Sequence, residues 1–224
     1  DWLFPPFCVG CGKTGFSWCE HCQEVSRIKE TNICPICGNI QAHKNVCSSC
    51  RDDPPAFTGL RSWGIYSGAL REAIHQFKYQ SDVSLGNVFA QNLYNCYTAL
   101  GWNVDFIVPV PLHPNRLRRR GYNQSALIAF PLALKLGIPY LSKAIIRKRD
   151  THSQVGLSSQ ERKENIQDAF VAENNLVEGK TALVIDDVTT TGATMRACAN
   201  SLISAGASAV YGMTLARTVY SDNS

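Results

Sequence analysis

The apolar residues after residue 55 follow two periods. Short runs rich in β-branched residues predict buried parallel strands, whereas apolar residues three or four positions apart predict helices. The pattern predicts, in order, an edge strand over 56–66, helices over 68–79 and 84–100, a strand over 104–110, an apolar helix after residue 124, hairpin arms over 144–149 and 168–171, a strand from 182, a helix over 193–205 and a strand over 207–216. This alternation predicts an α/β fold with a parallel sheet flanked by helices.

The strand that begins at residue 182 runs into a polar sequence, and residues 182–194 read A-L-V-I-D-D-V-T-T-T-G-A-T. Asp186 and Asp187 stand at the predicted end of this strand, where carboxylates can hold sugar hydroxyls or a hydrated Mg²⁺ ion. The next turn opens a helix, and backbone N–H groups at a helix start favour a bound anion. A turn without a ligand is the alternative, but it leaves the acidic pair without a structural use. The predicted anion loop consists of Thr189, Thr190, Thr191, Gly192, Ala193 and Thr194.

Positive charge is concentrated in one part of the chain. The 224 residues carry a formal net charge of +4, but residues 111–150 contain nine Lys and Arg and one acid. This local excess predicts polyanionic ligands. Arg116, Arg119 and Arg120 precede the apolar helix, and their guanidinium groups suit phosphate oxygens. A solvated helix start is the alternative; because cations there oppose the helix dipole, a bound anion accounts for them better.

Eight of the ten cysteines lie before residue 51, in four C-x-x-C pairs. This spacing places two thiolates on one tight turn, which favours zinc over disulfides. The block repeats, because a pair followed by glycine and then a plain pair occur twice. The repeat predicts two structural zinc ions, and interleaved pairing is the alternative. The predicted ligand sets are Cys8, Cys11, Cys19 and Cys22 for one ion, and Cys34, Cys37, Cys47 and Cys50 for the other.

The composition changes at residues 51–55 (R-D-D-P-P), where the cysteines stop. We therefore expect a zinc-binding domain over 1–55 and an α/β domain over 56–224. No apolar run approaches the roughly 18 residues of a membrane span, so no transmembrane segment is expected.

Residues 150–165 are polar and nearly free of core residues, which predicts a lid, with a plain surface loop as the alternative. Gln154, Arg162 and Asn165 are its candidates for closing on a substrate. Lys78 ends the first predicted helix, either as a charge on the helix dipole or directed toward the ligand cleft. Arg217 follows the last predicted strand and is a further candidate for the cleft.

The sequence of residues 182–194 resembles the signature of type I phosphoribosyltransferases, which binds 5-phosphoribosyl-1-pyrophosphate (PRPP). That resemblance implies that the Thr/Gly loop holds the 5′-phosphate, that Asp186 and Asp187 hold the ribose and act in catalysis, and that Mg²⁺ accompanies PRPP. It also implies that the basic segment holds the pyrophosphate and that a mobile hood covers the site. The family's 6-oxopurine enzymes have an aspartate three residues after the acidic pair. Thr190 stands there, so purine salvage of that type is not expected.

The whole chain resembles the ComF family (ComFC/GntX-like). The shared features are the L-F-P-P start, the double zinc ribbon, F-K-Y, V-P-V-P, R-R-G-Y-N-Q, Q-x-G-L, E-R-x-x-N and D-D-V-x-T-T-G-A-T. The resemblance implies a phosphoribosyltransferase fold and a role in natural competence. It further implies a cytoplasmic protein with single-stranded DNA and a competence helicase as partners, and a place at the inner face of the membrane through such partners.

Two functions are compatible with these residues. One is a phosphoribosyltransferase that joins PRPP to an unknown acceptor. The other is a binding protein that keeps the PRPP site and handles single-stranded DNA, with Trp63 and Tyr122 as candidates for base stacking.

Overall fold

The computed structural model describes residues 5–79, 84–148 and 169–219. Gln154, Arg162 and Asn165 lie outside these ranges. The strands are β1 (Gly59–Ile65), β2 (Phe106–Pro109), β3 (Ile145–Arg147), β4 (Phe170–Ala172), β5 (Thr181–Thr189) and β6 (Ala209–Arg217). The helices are α1 (Glu20–Ser26), α2 (Ser48–Asp52), α3 (Gly68–Tyr79), α4 (Leu85–Thr98), α5 (Pro114–Arg120), α6 (Gln124–Leu136), α7 (Asn174–Val177) and α8 (Ala193–Ser204).

A parallel four-stranded sheet has the order β1-β6-β5-β2, with β1 at one edge as predicted. Successive side chains of β5 point to opposite faces of the sheet. Leu183 and Ile185 join a core with α3, α4 and α6, whereas Ala182 and Val184 join a second core with α8 and strands β3 and β4. Both faces are therefore covered, which accounts for the continuous apolar run before Asp186.

The chain leaves β2 and β5 in opposite directions. After β2 it passes through α6 and returns beside β2, where Tyr140 bridges Ile107. After β5 it passes through α8 and continues as β6 on the other side. Such a reversal opens a crevice at the carboxyl ends of the two strands. The topology thus places a cleft where Asp186 and Asp187 stand.

Strands β3 and β4 form the predicted antiparallel hairpin, with Ile146 opposite Val171. It packs with α8 on the second core.

The cysteine block packs against the sheet domain in two places. The first ribbon (residues 5–26) joins the core of α3 and α4, where Trp18 meets Phe89 edge-on at 6.4 Å between ring centroids. The second ribbon (residues 33–52) lies along β1, and the Leu60 N–H donates to the Ile36 carbonyl at 2.7 Å. The division of the chain at residues 55 and 56 stays a prediction.

Among the helices of the described ranges, none combines the length and the apolar character that crossing a bilayer requires.

Candidate functional site

The two acids lie inside β5, which continues past them to Thr189 and so runs further than the apolar run indicated. Alternation along the strand directs neighbouring side chains to opposite faces. Asp187 follows Ile185 toward α3, where it meets Lys78, and Asp186 lies close enough to Cys198 of α8 for the two groups to interact. The two carboxyl groups flank the strand end from both sides of the sheet.

Each acid has its own partner. The Lys78 Nζ atom lies 2.9 Å from Oδ2 of Asp187, in a pair whose side chains are 22% and 11% exposed. Lys78 thus points into the cleft, the second of the two alternatives for this residue. Asp186 accepts hydrogen bonds at Oδ1 from the Ser125 hydroxyl and from the Asp187 N–H, both at 2.9 Å. Asp187 is therefore held by the cation Lys78, whereas Asp186 is held by two neutral donors.

This difference changes the ionisation of the pair. Burial, together with the charge of Asp187, raises the pKa of Asp186 to about 7, and the Ser125 hydroxyl opposes the rise. Burial lowers the pKa of Lys78, but the Asp187 carboxylate more than offsets this and leaves that pKa raised. Lys78 is therefore firmly charged near neutral pH, whereas Asp186 titrates there.

The predicted anion loop joins β5 to α8. Gly192 adopts the left-handed conformation (φ 78°) immediately before the helix, a conformation that favours glycine. The Thr191 hydroxyl accepts from the Ala193 N–H at 3.4 Å, and the Gly192 carbonyl accepts from the Arg196 N–H at 2.9 Å. N–H groups in the first turn of a helix have no helical acceptor, so this end of α8 can receive an anion.

The acids, the loop and part of the basic segment line one cavity of about 430 Å³. Both acids and all six residues of the loop belong to its wall. Arg116 and Arg120 also line it, whereas Arg119 lies on the exposed side of α5, outside the lining. A cavity of this size is in the range of small-molecule sites. The cavity brings carboxylates, a helix start and arginines together.

The prediction that the arginines oppose the dipole of the apolar helix is wrong. They form a helix of their own, α5, which begins with Pro114 and ends at Gly121 in the left-handed conformation. Arg118, Arg119 and Arg120 occupy its last turn, where cations favour the dipole. The proline and the glycine were the signals for this helix in the sequence.

Much of the R-R-G-Y-N-Q motif supports the cleft. Asn123 caps α6 by accepting from the Ser125 N–H at 3.1 Å, and its amide donates to the Val110 carbonyl at 3.0 Å. The Gln124 side chain accepts from Arg120 at 2.7 Å. These bonds fix the start of α6, and with it the Ser125 hydroxyl, relative to the end of β2.

Three sequence-based candidates have other roles. Arg217 donates to the Cys37 carbonyl at 3.0 Å and so faces the second ribbon, not the cavity. Trp63 is 6% exposed and lies in the core. Tyr122 is half-buried and donates through its hydroxyl to the Phe77 carbonyl at 2.6 Å. Burial makes the Trp63 ring unavailable for base stacking, and the Tyr122 hydroxyl is bonded within the fold.

Sequence reasoning missed other residues of the lining. Ser125 and Arg147 are both buried, and each belongs to the wall of the cavity. Ser125 directly follows the N-Q pair of the basic motif, and Arg147 ends β3, the first arm of the hairpin. The basic motif and the hairpin arm were both recognised in the sequence, and the position of each residue in or beside one of them was the signal that could have identified it.

The eight ribbon cysteines form two groups, and within each group all four Sγ atoms lie within 4.8 Å of one another. The Sγ–Sγ distances of Cys8–Cys22 and Cys11–Cys19 are 3.7 Å, and that of Cys37–Cys47 is 3.6 Å. Four sulfurs about 2.3 Å from a central Zn²⁺ ion would be about 3.8 Å apart, so the donor sets fit tetrahedral zinc. The groups are the sequential ones that the repeat predicts: Cys8, Cys11, Cys19 and Cys22, and Cys34, Cys37, Cys47 and Cys50.

Two family models match the chain: the double zinc ribbon domain over residues 1–51 and the phosphoribosyl transferase domain over residues 86–219. DNA utilization protein YhgH of Salmonella typhimurium (strain LT2) is 36% identical over 207 residues, which cover 90% of each chain. Competence protein F of Haemophilus influenzae is 32% identical over 208 residues, which cover 89% of this chain and 90% of that one. Competence protein ComFC of Bacillus subtilis is 29% identical over 208 residues, which cover 89% and 84%.

The solved structures that match parts of this chain include two phosphoribosyl enzymes. Glutamine PRPP amidotransferase of Bacillus subtilis has 24% identity and a TM-score of 0.39, with 59% of this chain and 25% of that chain covered. Adenine phosphoribosyltransferase of Thermoanaerobacter pseudethanolicus has 17% identity and a TM-score of 0.39, with 62% and 83% covered.

The fold, the cleft and the two family models define a phosphoribosyltransferase-like protein with an N-terminal double zinc ribbon. Relatives named DNA utilization protein YhgH and competence protein F align with about nine-tenths of this chain at 36% and 32% identity. The chain belongs to the ComF family.

Proposed function

We propose that this protein binds PRPP with Mg²⁺ in the cavity and acts in natural competence, in the uptake of single-stranded transforming DNA. The observation that carries the PRPP part is the convergence of Asp186, Asp187, the loop 189–194 and the arginines of α5 on one cavity. The names of the relatives support the DNA part.

In this proposal each part of PRPP meets a separate group of residues. The loop 189–194 receives the 5′-phosphate at the start of α8. Asp186 and Asp187 hold the ribose hydroxyls, while Arg116 and Arg120 neutralise the pyrophosphate. Mg²⁺ would supply positive charge between the carboxylates and the pyrophosphate. Lys78 holds the Asp187 carboxylate in place through the ion pair.

Single-stranded DNA would meet a different surface. Arg118 and Arg119 are exposed on α5, outside the cavity lining. Exposed arginines bind phosphodiesters without reading sequence, and such binding weakens steeply with salt. Because Trp63 is buried and Tyr122 is held by Phe77, the proposal assigns DNA binding to phosphate contacts.

Calorimetric titration of the zinc-loaded protein with PRPP and Mg²⁺ tests the proposal, with and without single-stranded DNA, which should not displace PRPP because the two ligands are assigned to different surfaces. We expect micromolar affinity for PRPP, and loss of binding in the double variant Asp186→Asn/Asp187→Asn with an unchanged circular dichroism spectrum. Unchanged affinity in that variant contradicts the ribose assignment. DNA binding without PRPP binding would mean that the fold serves nucleic acid alone.

A second candidate function is turnover. The cavity extends to Arg147 on β3, which the pose above leaves unused, so part of its wall is available to an acceptor. An acceptor nitrogen would attack the anomeric carbon, and pyrophosphate would leave with its bonding electrons. Pyrophosphate release across a panel of nitrogenous acceptors tests this. Release that disappears in Asp186→Asn/Asp187→Asn supports turnover, and binding without release favours a binding protein.

A further inference from the structure

We infer that the second zinc ribbon (residues 33–52) holds the phosphate loop in its binding conformation, with Arg217 and Arg196 as the positioning residues. The inference rests on the proposed function, because it takes residues 189–194 to be the phosphate loop. Two side-chain contacts connect the ribbon and its exit to the two flanks of this loop.

The first contact is on the β5 side of the loop. Arg217 is 4% exposed, and its Nη1 atom donates to the Cys37 carbonyl of the second ribbon at 3.0 Å. In the sheet register Arg217 pairs with Thr189, the first loop residue. The next residue, Thr218, donates its N–H to the Thr189 carbonyl at 3.0 Å. A displacement of the zinc-binding turn therefore acts on β6 directly beside the start of the loop.

The second contact is on the helix side. Arg196 of α8 donates through Nη2 to the carbonyl of Asp53, which follows α2 of the second ribbon, at 2.8 Å. Its Nη1 atom lies 3.6 Å from the Asp53 carboxylate. The backbone N–H of the same Arg196 donates to the Gly192 carbonyl within the loop. One residue thus bonds the ribbon's exit through its side chain and the loop through its backbone.

The ribbon is itself fixed on the sheet by close packing. Arg61 of β1 donates to the Pro35 carbonyl at 2.9 Å. A Cβ atom on Gly38 would lie 2.5 Å from the Leu60 carbonyl oxygen and 3.0 Å from Nη1 of Arg217. Only glycine permits this approach of the two backbones. A zinc ion bound by four thiolates would keep a net negative charge, and two cations, the half-buried Arg61 and the buried Arg217, lie beside this centre.

The first ribbon provides an internal comparison. It packs on α3 and α4 through Trp18 and through Gly10, whose Cβ would lie 2.8 Å from that of Ala69. Within the described ranges, the contacts of the first ribbon reach helices α3 and α4 and strand β1, and none of its hydrogen bonds leads to the loop 189–194. Both ribbons have the same set of four cysteines. If a cysteine variant in the second ribbon loosens the loop and the matching variant in the first does not, the effect comes from the position of the second ribbon.

Hydrogen exchange of the zinc-loaded protein tests the inference, followed by titration with PRPP and Mg²⁺. The variants Arg217→Gln and Arg196→Gln cut one contact each and leave all thiolates in place. Losing a hydrogen bond from a charged donor corresponds to about tenfold or more in local opening. We therefore expect both variants to keep two zinc ions, to exchange about tenfold faster over 189–194 and to bind PRPP about tenfold more weakly. Exchange over α4 should stay unchanged, which separates local loosening from global destabilisation.

Cys37→Ser and Cys11→Ser form the matched pair, since each replaces the second cysteine of the first knuckle in its ribbon. We expect only Cys37→Ser to accelerate exchange over 189–194, and Arg217→Lys to restore part of the protection lost in Arg217→Gln. Unchanged loop exchange in both arginine variants overturns the inference, as does equal loosening by Cys11→Ser and Cys37→Ser. If the wild type does not bind PRPP, the proposed function fails, and the exchange data alone decide whether the ribbon holds the loop.

Discussion

Replacing Asp186 by asparagine separates the effect of this acid on folding stability from its effect on ligand binding. The pKa of Asp186 is raised from 3.8 to about 7 in the folded protein. A carboxyl group with a raised pKa lets the folded state bind more protons than the unfolded state, so stability falls as pH rises between 3.8 and about 7. Asparagine does not titrate and has no such loss. Its side-chain oxygen can still accept from the Ser125 hydroxyl and the Asp187 N–H.

The size of the effect follows from the two pKa values. At 1.36 kcal/mol per pH unit, the full interval is worth up to about 4 kcal/mol of stability, of which about 2 kcal/mol falls between pH 5.5 and pH 8. Relative to the wild type, Asp186→Asn should therefore gain about 2 kcal/mol more at pH 8 than at pH 5.5. It should also lose PRPP binding.

Urea unfolding at the two pH values in excess zinc measures this difference, because other titrating groups cancel between variant and wild type. Asp105→Asn is the control, since this acid lies at the opposite end of the sheet and accepts from the Thr181 N–H at 2.7 Å. It should leave PRPP affinity unchanged. A stability difference between Asp186→Asn and wild type that is equal at pH 5.5 and pH 8 would refute the electrostatic reasoning.

Four further predictions concern the cleft and the ribbons. Lys78→Met leaves the Asp187 carboxylate buried without its cation and should cost about 3 kcal/mol in urea unfolding, most of which Asp187→Asn in the same chain should restore; no recovery contradicts the pairing. Arg120→Gln should lower PRPP affinity about tenfold in calorimetry, whereas Arg119→Gln on the same helix should not; equal effects argue against the pyrophosphate assignment. Gly192→Ala should cost about 1 kcal/mol because of its positive φ and should weaken PRPP binding; unchanged affinity argues against the loop. Elemental analysis should find two zinc ions per chain, and one or none would exclude the two centres.

The sequence was most informative where local chemistry decides structure. Helix α3 has the bounds that its apolar spacing predicts, and α8 begins where the Thr/Gly turn indicates. The two-residue spacing of the cysteines indicates zinc because it leaves the thiolates little freedom, and the repeat of the block gives the two groups of ligands. Contacts between distant segments could not be read in this way. Lys78 meets Asp187 only because α3 packs beside β5, and Arg217 faces the second ribbon because that ribbon docks on the edge of the sheet.

The pairing of β1 with β6 determines when the sheet can be completed. Gly59 pairs with Tyr211, so these neighbours are about 150 residues apart along the chain. Of the six described strands, β6 is the last that the ribosome makes. Its pairing with β1 is slow because a large loop must close first. Each zinc ribbon is made of cysteine pairs that are close together in sequence, so both ribbons can fold and bind metal long before β6 is made. During synthesis β1 and β5 each expose an edge that β6 later covers, and a chain terminated before residue 209 would keep both edges open to aggregation. The synthesis of β6, and not the collapse of the early segments, therefore sets the moment at which the sheet is completed.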